Sequence, residues 1–300
     1  MRPPVLVPAA ELLAETAGDR PPVLLDVRWA LGDPDGRGHY RRGHIPTAVY
    51  VDLDTELASP AGPSGGRHPL PDPAALQRHA RRWGITADRP VVVYDDAGGL
   101  AAARAWWLLR WAGVADVRLL DGSLAAWRAA GGPLAEGEET AAAPGDIVLS
   151  PGRLPVLTAD RAAELPSYGV LLDARAGERY RGESEPVDAK AGHIPGAVSA
   201  PTAENLDAGG RFAEAEQSRK RFAALGVGDD TAVGVYCGSG VTAAHQIAAL
   251  AAAGIDAALY PGSWSAWSAD PRRPVATGPR PGEPLAGAGI HDRESLGGER

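Results

Sequence analysis

The chain has 300 residues, with 38 acidic against 30 basic side chains and a formal net charge of −8. That length suits two domains better than one, and neither half carries the basic patch that nucleic acid needs. A single cysteine forbids an intramolecular disulfide and fits a reducing cytoplasm. No apolar run has bilayer length, and the opening MRPPVLVPAAELLAE lacks a signal-peptide core, so a soluble protein with no membrane partner is expected.

In chain order, Val23–Val27 is short and rich in branched apolar residues, the pattern of a buried strand. GHIP at Gly43–Pro46 predicts a turn leading into another strand, with Gly and Pro setting the backbone. Val91–Tyr94 is a further strand, Leu100–Ala112 has helical length, and Val117–Leu120 follows as a strand. Pro133–Pro155, rich in Gly, Pro, Ala and Glu, has linker composition. The series then recurs as Val170–Asp173, Ala232–Tyr236, a helix over Val241–Ala253 and a strand over Ala257–Tyr260.

Strand–helix–strand alternation predicts an α/β fold of two tandem domains, each a central, mostly parallel sheet flanked by helices. The expected divisions are 1–134 for the first copy, 135–155 for the linker and 156–276 for the second copy. The Gly-rich, polar stretch 277–300 is expected to be disordered.

The two halves are copies of one another. VLLDVR (Val23–Arg28) matches VLLDAR (Val170–Arg175), and GHIP recurs at Gly192–Pro195. GGRH (Gly65–His68) matches GGRF (Gly209–Phe212), VVVY matches VGVY (Val233–Tyr236), and GSLAAW (Gly122–Trp127) matches GSWSAW (Gly262–Trp267). Residues present in both copies are expected to serve the fold: Asp26 and Asp173, Arg28 and Arg175, His44 and His193. Residues present in one copy are candidates for function. Cys237 is such a residue, because Asp95 stands in its place in the first copy.

Cys237 ends a buried parallel strand and precedes a helix, at the sheet edge where α/β proteins bind ligands. Gly238 and Gly240 let the loop curl so that backbone N–H groups face the sulfur, and the helix start adds partial positive charge. Both favour the reactive thiolate. A cysteine phosphatase would need an arginine six positions on, where Ala243 stands, and scattered histidines with one cysteine offer no zinc spacing.

Cys237-Gly238-Ser239-Gly240-Val241-Thr242-Ala243 after a V-x-V-Y strand resembles the active loop of two-domain rhodaneses, closest to the 3-mercaptopyruvate sulfurtransferase branch. The resemblance runs from about Val5 to about Ala276, with DVRW (Asp26–Trp29), VVVYDD (Val91–Asp96), DARAGERYRGE (Asp173–Glu183) and GSWSAW as further matches. It implies a sulfurtransferase that needs no cofactor, in which 1–134 is the inactive copy and 156–276, with Cys237, the catalytic one. Sulfur would pass from a small anionic donor, 3-mercaptopyruvate or thiosulfate, through a Cys237 persulfide to cyanide or a thiol, including thioredoxin-like proteins. An alternative is a protein-to-protein sulfur relay whose small-molecule activity is incidental.

The resemblance also implies a Ser-His-Asp arrangement, matched here by Ser239, His68 and Asp54. Their counterparts Ala97, Phe212 and Ala203 lack the function, so all three pass the one-copy test. The site is then shared between the copies, with Asp54 orienting His68 and His68 exchanging a proton with Ser239. Arg179 matches a donor-gripping arginine of the family, and Arg181 lies near enough to substitute. Gly238, Gly240, Val241 and Thr242 complete the expected binding loop. A second family arginine falls on Asp188, whereas thiosulfate-specific members carry basic residues where Gly238 and Ser239 are neutral. Trp106 and Trp107 are expected in the core, and His245, also confined to one copy, has no assigned role.

Overall fold

The computed structural model describes residues 4–62 and 65–285. Its first unit holds strands β1 (Leu6–Val7), β2 (Val23–Asp26), β3 (Val49–Tyr50), β4 (Val91–Tyr94) and β5 (Val117–Leu120), in the sheet order β1-β5-β4-β2-β3. Its second unit holds β6 (Val170–Asp173), β7 (Val198–Ser199), β8 (Val233–Tyr236) and β9 (Ala258–Leu259), in the order β7-β6-β8-β9. Every strand pairing is parallel. The second sheet has no named counterpart of β1, but Val156 bridges Leu259 in parallel in the equivalent place.

All residues of β2, β4, β5 and β8 are buried, as expected of strands covered on both faces. Alternation along the strand decides which face each side chain serves. In β4, Val91 and Val93 join one apolar cluster, while Val92 and Tyr94 join another. In β8 the same alternation sends Val233, Val235 and then Cys237 to the first cluster and Tyr236 to a third. That first cluster runs through both units. At its centre the helices Ala102–Trp111 and Thr242–Ala252 pack on each other, with small alanines allowing close approach. Cys237 therefore points towards the seam because of strand parity, and Trp106 and Trp107 lie in this core.

The residues shared by the copies have matching local roles. Arg28 bonds Asp26 at 2.9 Å and the Gly43 carbonyl at 2.7 Å, while Arg175 bonds Asp173 at 2.6 Å and the Gly192 carbonyl at 2.6 Å. His44 and His193 are fully buried, and each stacks on a tyrosine, Tyr40 or Tyr180.

Two segments differ from their expected character. Residues 135–155 form no regular element, yet they are docked on the first unit. Gly145 N–H donates to the Arg81 carbonyl at 2.7 Å, Ser150 N–H to Ala112 at 2.7 Å, and Ile147 is buried. The expected disordered tail begins in an ordered strap. Gly278 N–H donates to the Arg181 carbonyl at 2.8 Å, and the Pro281 carbonyl accepts from Gly196 N–H at 2.6 Å. The rest of that expectation, residues 286–300, lies outside the described residues. Among the described residues no helix is long and apolar enough to cross a membrane.

Candidate active site

Cys237 is the first residue beyond β8, and the loop Gly238–Val241 leads directly into the helix Thr242–Ala252. The backbone N–H of Gly240 donates to Cys237 Sγ at 3.1 Å. Gly240 has φ +82°, and a Cβ there would stand 2.6 Å from the Pro261 carbonyl oxygen, so the turn requires glycine. The GSWSAW segment braces the loop from below. Ser263 Oγ accepts from Cys237 N–H at 3.1 Å, and the N–H groups of Trp264 and Ser265 donate to the Cys237 and Gly238 carbonyls, both at 2.9 Å. Cys237 is only 1% exposed, yet it lines a cleft of about 290 Å³ with Gly238, Ser239, Val241, Thr242 and Arg179.

The first unit supplies the other wall. His68 Nδ1 lies 2.8 Å from Ser239 Oγ, and its Nε2 lies 2.9 Å from Asp54 Oδ1. A carboxylate only accepts, so Nε2 carries the proton and Nδ1 accepts from the Ser239 hydroxyl. Trp29 Nε1 donates to both Asp54 oxygens at 3.1 and 3.2 Å, and its ring stands edge-on to His68. Burial holds the His68 pKa below the ordinary histidine value, Asp54 opposes this, and Arg104 and Arg67 reinforce it. A neutral imidazole so placed can take a proton from Ser239. Asp54 and His68 also line an outer hollow of about 640 Å³ that shares Trp29, Leu31 and Arg67 with the inner cleft.

Three arginines converge here. Arg179 projects into the cleft and is held by Glu185 at 2.6 Å. Arg67 reaches the same cleft from the first unit and is ion-paired with Asp188. Arg104 is fully buried and has no carboxylate partner among the described residues. It donates to the carbonyls of Gly240 at 3.1 Å, His68 at 3.0 Å, Pro69 at 3.2 Å and Leu57 at 3.3 Å. It thus ties the cysteine loop to the histidine loop. Burial lowers its pKa to about 10, while the charge of the Cys237 sulfur pulls the other way. Such a cation is complementary to an anionic sulfur.

Of the residues singled out in the sequence, Cys237, Gly238, Ser239, Val241, Thr242 and Arg179 meet in one cleft, and Gly240 lies beneath it. His68 and Asp54 complete a chain of hydrogen bonds to Ser239. Arg181 is not brought in: it pairs with Glu183 at 2.7 Å on the protein surface and does not line the cleft. Trp29, Arg67 and Arg104 escaped the sequence reading. Arg104 sits in an apolar helical stretch where only its isolation among alanines and tryptophans could have marked it. His245 bridges the units: Thr202 Oγ1 donates to its Nδ1 at 2.7 Å, and its Nε2 donates to the Gly98 carbonyl at 3.1 Å.

Comparison with known proteins shows the family. Residues 9–130 and 158–270 each match the rhodanese-like domain. A Mycobacterium tuberculosis protein provisionally named thiosulfate sulfurtransferase SseB is 49% identical over 279 residues, covering 91% of this chain and 97% of the relative. A Pseudomonas aeruginosa protein provisionally named 3-mercaptopyruvate sulfurtransferase is 50% identical over 277 residues, covering 90% and 97%. The structure of 3-mercaptopyruvate sulfurtransferase from Leishmania major superposes with a TM-score of 0.77 at 30% identity, covering 87% of this chain and 73% of that one. With two rhodanese-like domains, and a lone cysteine cradled at their seam, the chain belongs to the rhodanese family of sulfurtransferases.

Proposed function

We propose that this sulfurtransferase takes its sulfur from 3-mercaptopyruvate and carries it as a persulfide on Cys237. The names of its relatives divide between that donor and thiosulfate. One observation favours the former: a hydrogen-bonded line from Asp54 through neutral His68 to Ser239, two residues from the sulfur. Thiosulfate brings no proton on its outer sulfur and releases sulfite without needing one, so it has no use for this line. Mercaptopyruvate has such a proton and does need to move it.

In the proposed reaction the Cys237 thiolate attacks the donor's thiol sulfur and an S–S bond forms. The donor's C–S bond breaks, and its electron pair goes to carbon as the enolate of pyruvate. The thiol proton passes to Ser239 and His68 and returns to that carbon, leaving pyruvate and a persulfide anion. A thiophilic acceptor, either cyanide or a thiol such as that of a thioredoxin-like protein, then takes the outer sulfur and restores the thiolate. A reducing compartment such as the cytoplasm keeps Cys237 free for this cycle.

Intact mass spectrometry tests the reading. Incubation with 3-mercaptopyruvate is expected to add one sulfur atom to the wild type and none to Cys237→Ser. Loading by thiosulfate alone, with no gain from mercaptopyruvate, would overturn the donor assignment.

A further inference from the structure

We propose that Arg67, reaching over from the first unit, is a donor-binding residue that pairs with Arg179 to hold the donor's carboxylate. The inference rests on mercaptopyruvate being the donor. Gly238, next to Cys237, has no side chain, and two guanidiniums face the space it leaves. Arg67 Nη2 lies 3.1 Å, and Arg179 Nη1 3.5 Å, from where a Cβ on Gly238 would stand.

Each arginine is gripped by its far edge. Arg67 gives Nη1 to Asp188, and its backbone N–H bonds Ser265 Oγ at 3.1 Å. Arg179 gives Nε to Glu185 at 3.3 Å and Nη2 to Glu185 at 2.6 Å and Asp188 at 3.3 Å. Arg67 Nη2 and Arg179 Nη1 take no protein acceptor among the described residues. The two acids balance the two arginines, so an anion is held here by directed N–H groups rather than by excess charge. A planar carboxylate can accept one N–H from each guanidinium. The three-carbon donor would then lie with its sulfur towards Cys237. Asp188 stands where the resemblance places a second arginine, and the ion pair brings a guanidinium to that position from across the seam.

Steady-state kinetics with 3-mercaptopyruvate test this. Arg67→Met is expected to raise KM at least about tenfold with kcat within about threefold, the pattern of lost ground-state binding. Asp188→Asn breaks the same ion pair but keeps the cation, and its KM is expected to rise at least about fivefold less than that of Arg67→Met. Equal effects from the two would mark the pair as merely structural and overturn the proposal, as would an unchanged KM in Arg67→Met. Should Arg67→Met not fold, the exchange R67D/D188R decides. It keeps the ion pair and puts the guanidinium at 188, and recovery of KM relative to R67D is expected. No recovery in a folded double variant overturns the proposal. A wild type that gains no sulfur from mercaptopyruvate sinks the donor assignment itself, whereas normal loading with an indifferent Arg67 sinks this inference alone.

Discussion

Asp95 and Cys237 occupy equivalent places, each the first residue beyond the central strand of its sheet. The Asp95 carboxylate accepts from the backbone N–H groups of Ala97 at 2.9 Å, Gly99 at 2.8 Å, Ala101 at 2.9 Å and Ala102 at 3.1 Å, and from the Ser123 hydroxyl at 2.8 Å. The equivalent residues around Cys237 are Ser239, Val241, Ala243, Ala244 and Ser263. Among the described residues, the shorter thiol side chain accepts only from Gly240. A persulfide would lengthen that side chain by one atom, as the carboxylate oxygens do in Asp95, so the Asp95 loop predicts where an outer sulfur on Cys237 would find donors.

Replacing Asp95 by alanine leaves the buried amides of Gly99, Ala101 and Ala102 without an acceptor. A stability loss of about 2–4 kcal/mol is expected by denaturant unfolding, with mercaptopyruvate still adding sulfur to Cys237. The same comparison predicts that persulfide-loaded wild type melts higher than the free thiol, by roughly 2–4 °C for each kcal/mol the new bonds supply. Equal melting temperatures would mean that the second loop does not bind the outer sulfur as the first binds Asp95.

Repetition made the tandem fold legible, whereas the direction of Cys237 came from the strand alternation seen in the structure. The strands Val91–Tyr94 and Val170–Asp173, one in each sheet, have their expected bounds, because their almost complete burial leaves no polar alternation to blur them. The resemblance singled out Ser239, His68 and Asp54, and comparing the copies supported them; the same comparison set aside His44 and His193, which are buried and stacked on tyrosines. The same comparison hid Arg67, because Arg211 matches it in the second copy. Arg211 lines a separate hollow beside Asp121, so one residue type at one repeat position does two different things. The stretch 135–155 has no regular element, in keeping with its Gly and Pro content, and what composition did not show is that its backbone groups find partners on the first unit.

Arg104 offers a test of how the seam supports the sulfur. Removing its charge with Arg104→Met takes away a buried cation and leaves the carbonyls of Gly240 and His68 short of a donor. Alkylation of Cys237 by iodoacetamide at pH 7 is expected to slow roughly tenfold, equivalent to about 1.4 kcal/mol. Arg104→Lys, which keeps the charge but not the fork, should recover part of that rate. Unaltered alkylation in a folded Arg104→Met would remove Arg104 from the account of the thiolate.

The pH dependence of mercaptopyruvate turnover follows from His68. Its pKa lies below 6.5, so it is neutral and able to accept a proton at pH 7. Activity should therefore hold on acidification until below pH 6.5 and then fall as the imidazole becomes charged. Asp54 raises this pKa, so Asp54→Ala should move the acid limb to still lower pH while reducing kcat by about 10²-fold through loss of orientation. An acid limb that stays in place in Asp54→Ala would assign it to another group.

His245 links stability to pH. Burial lowers its pKa to about 4 from an ordinary 6.5, and it faces Thr202 Oγ1, the Gly98 carbonyl and the Phe212 ring, with Asp95 opposing the shift. Unfolded chains bind a proton here at higher pH than folded ones. The contribution of neutral His245 is thus complete above pH 6.5 and is lost as pH falls towards 4, by about 3 kcal/mol in all. Asp26, raised to about 7 by burial, acts with the opposite sign over part of the same window, so the absolute slope mixes the two. The difference between wild type and His245→Gln isolates the histidine. Denaturant unfolding at pH 7.5 and pH 5 should show the wild type losing stability relative to the variant as pH drops. A constant difference would mean that His245 takes up its proton alike in the folded and unfolded chains, so that burial between Thr202 and Gly98 does not hold it neutral.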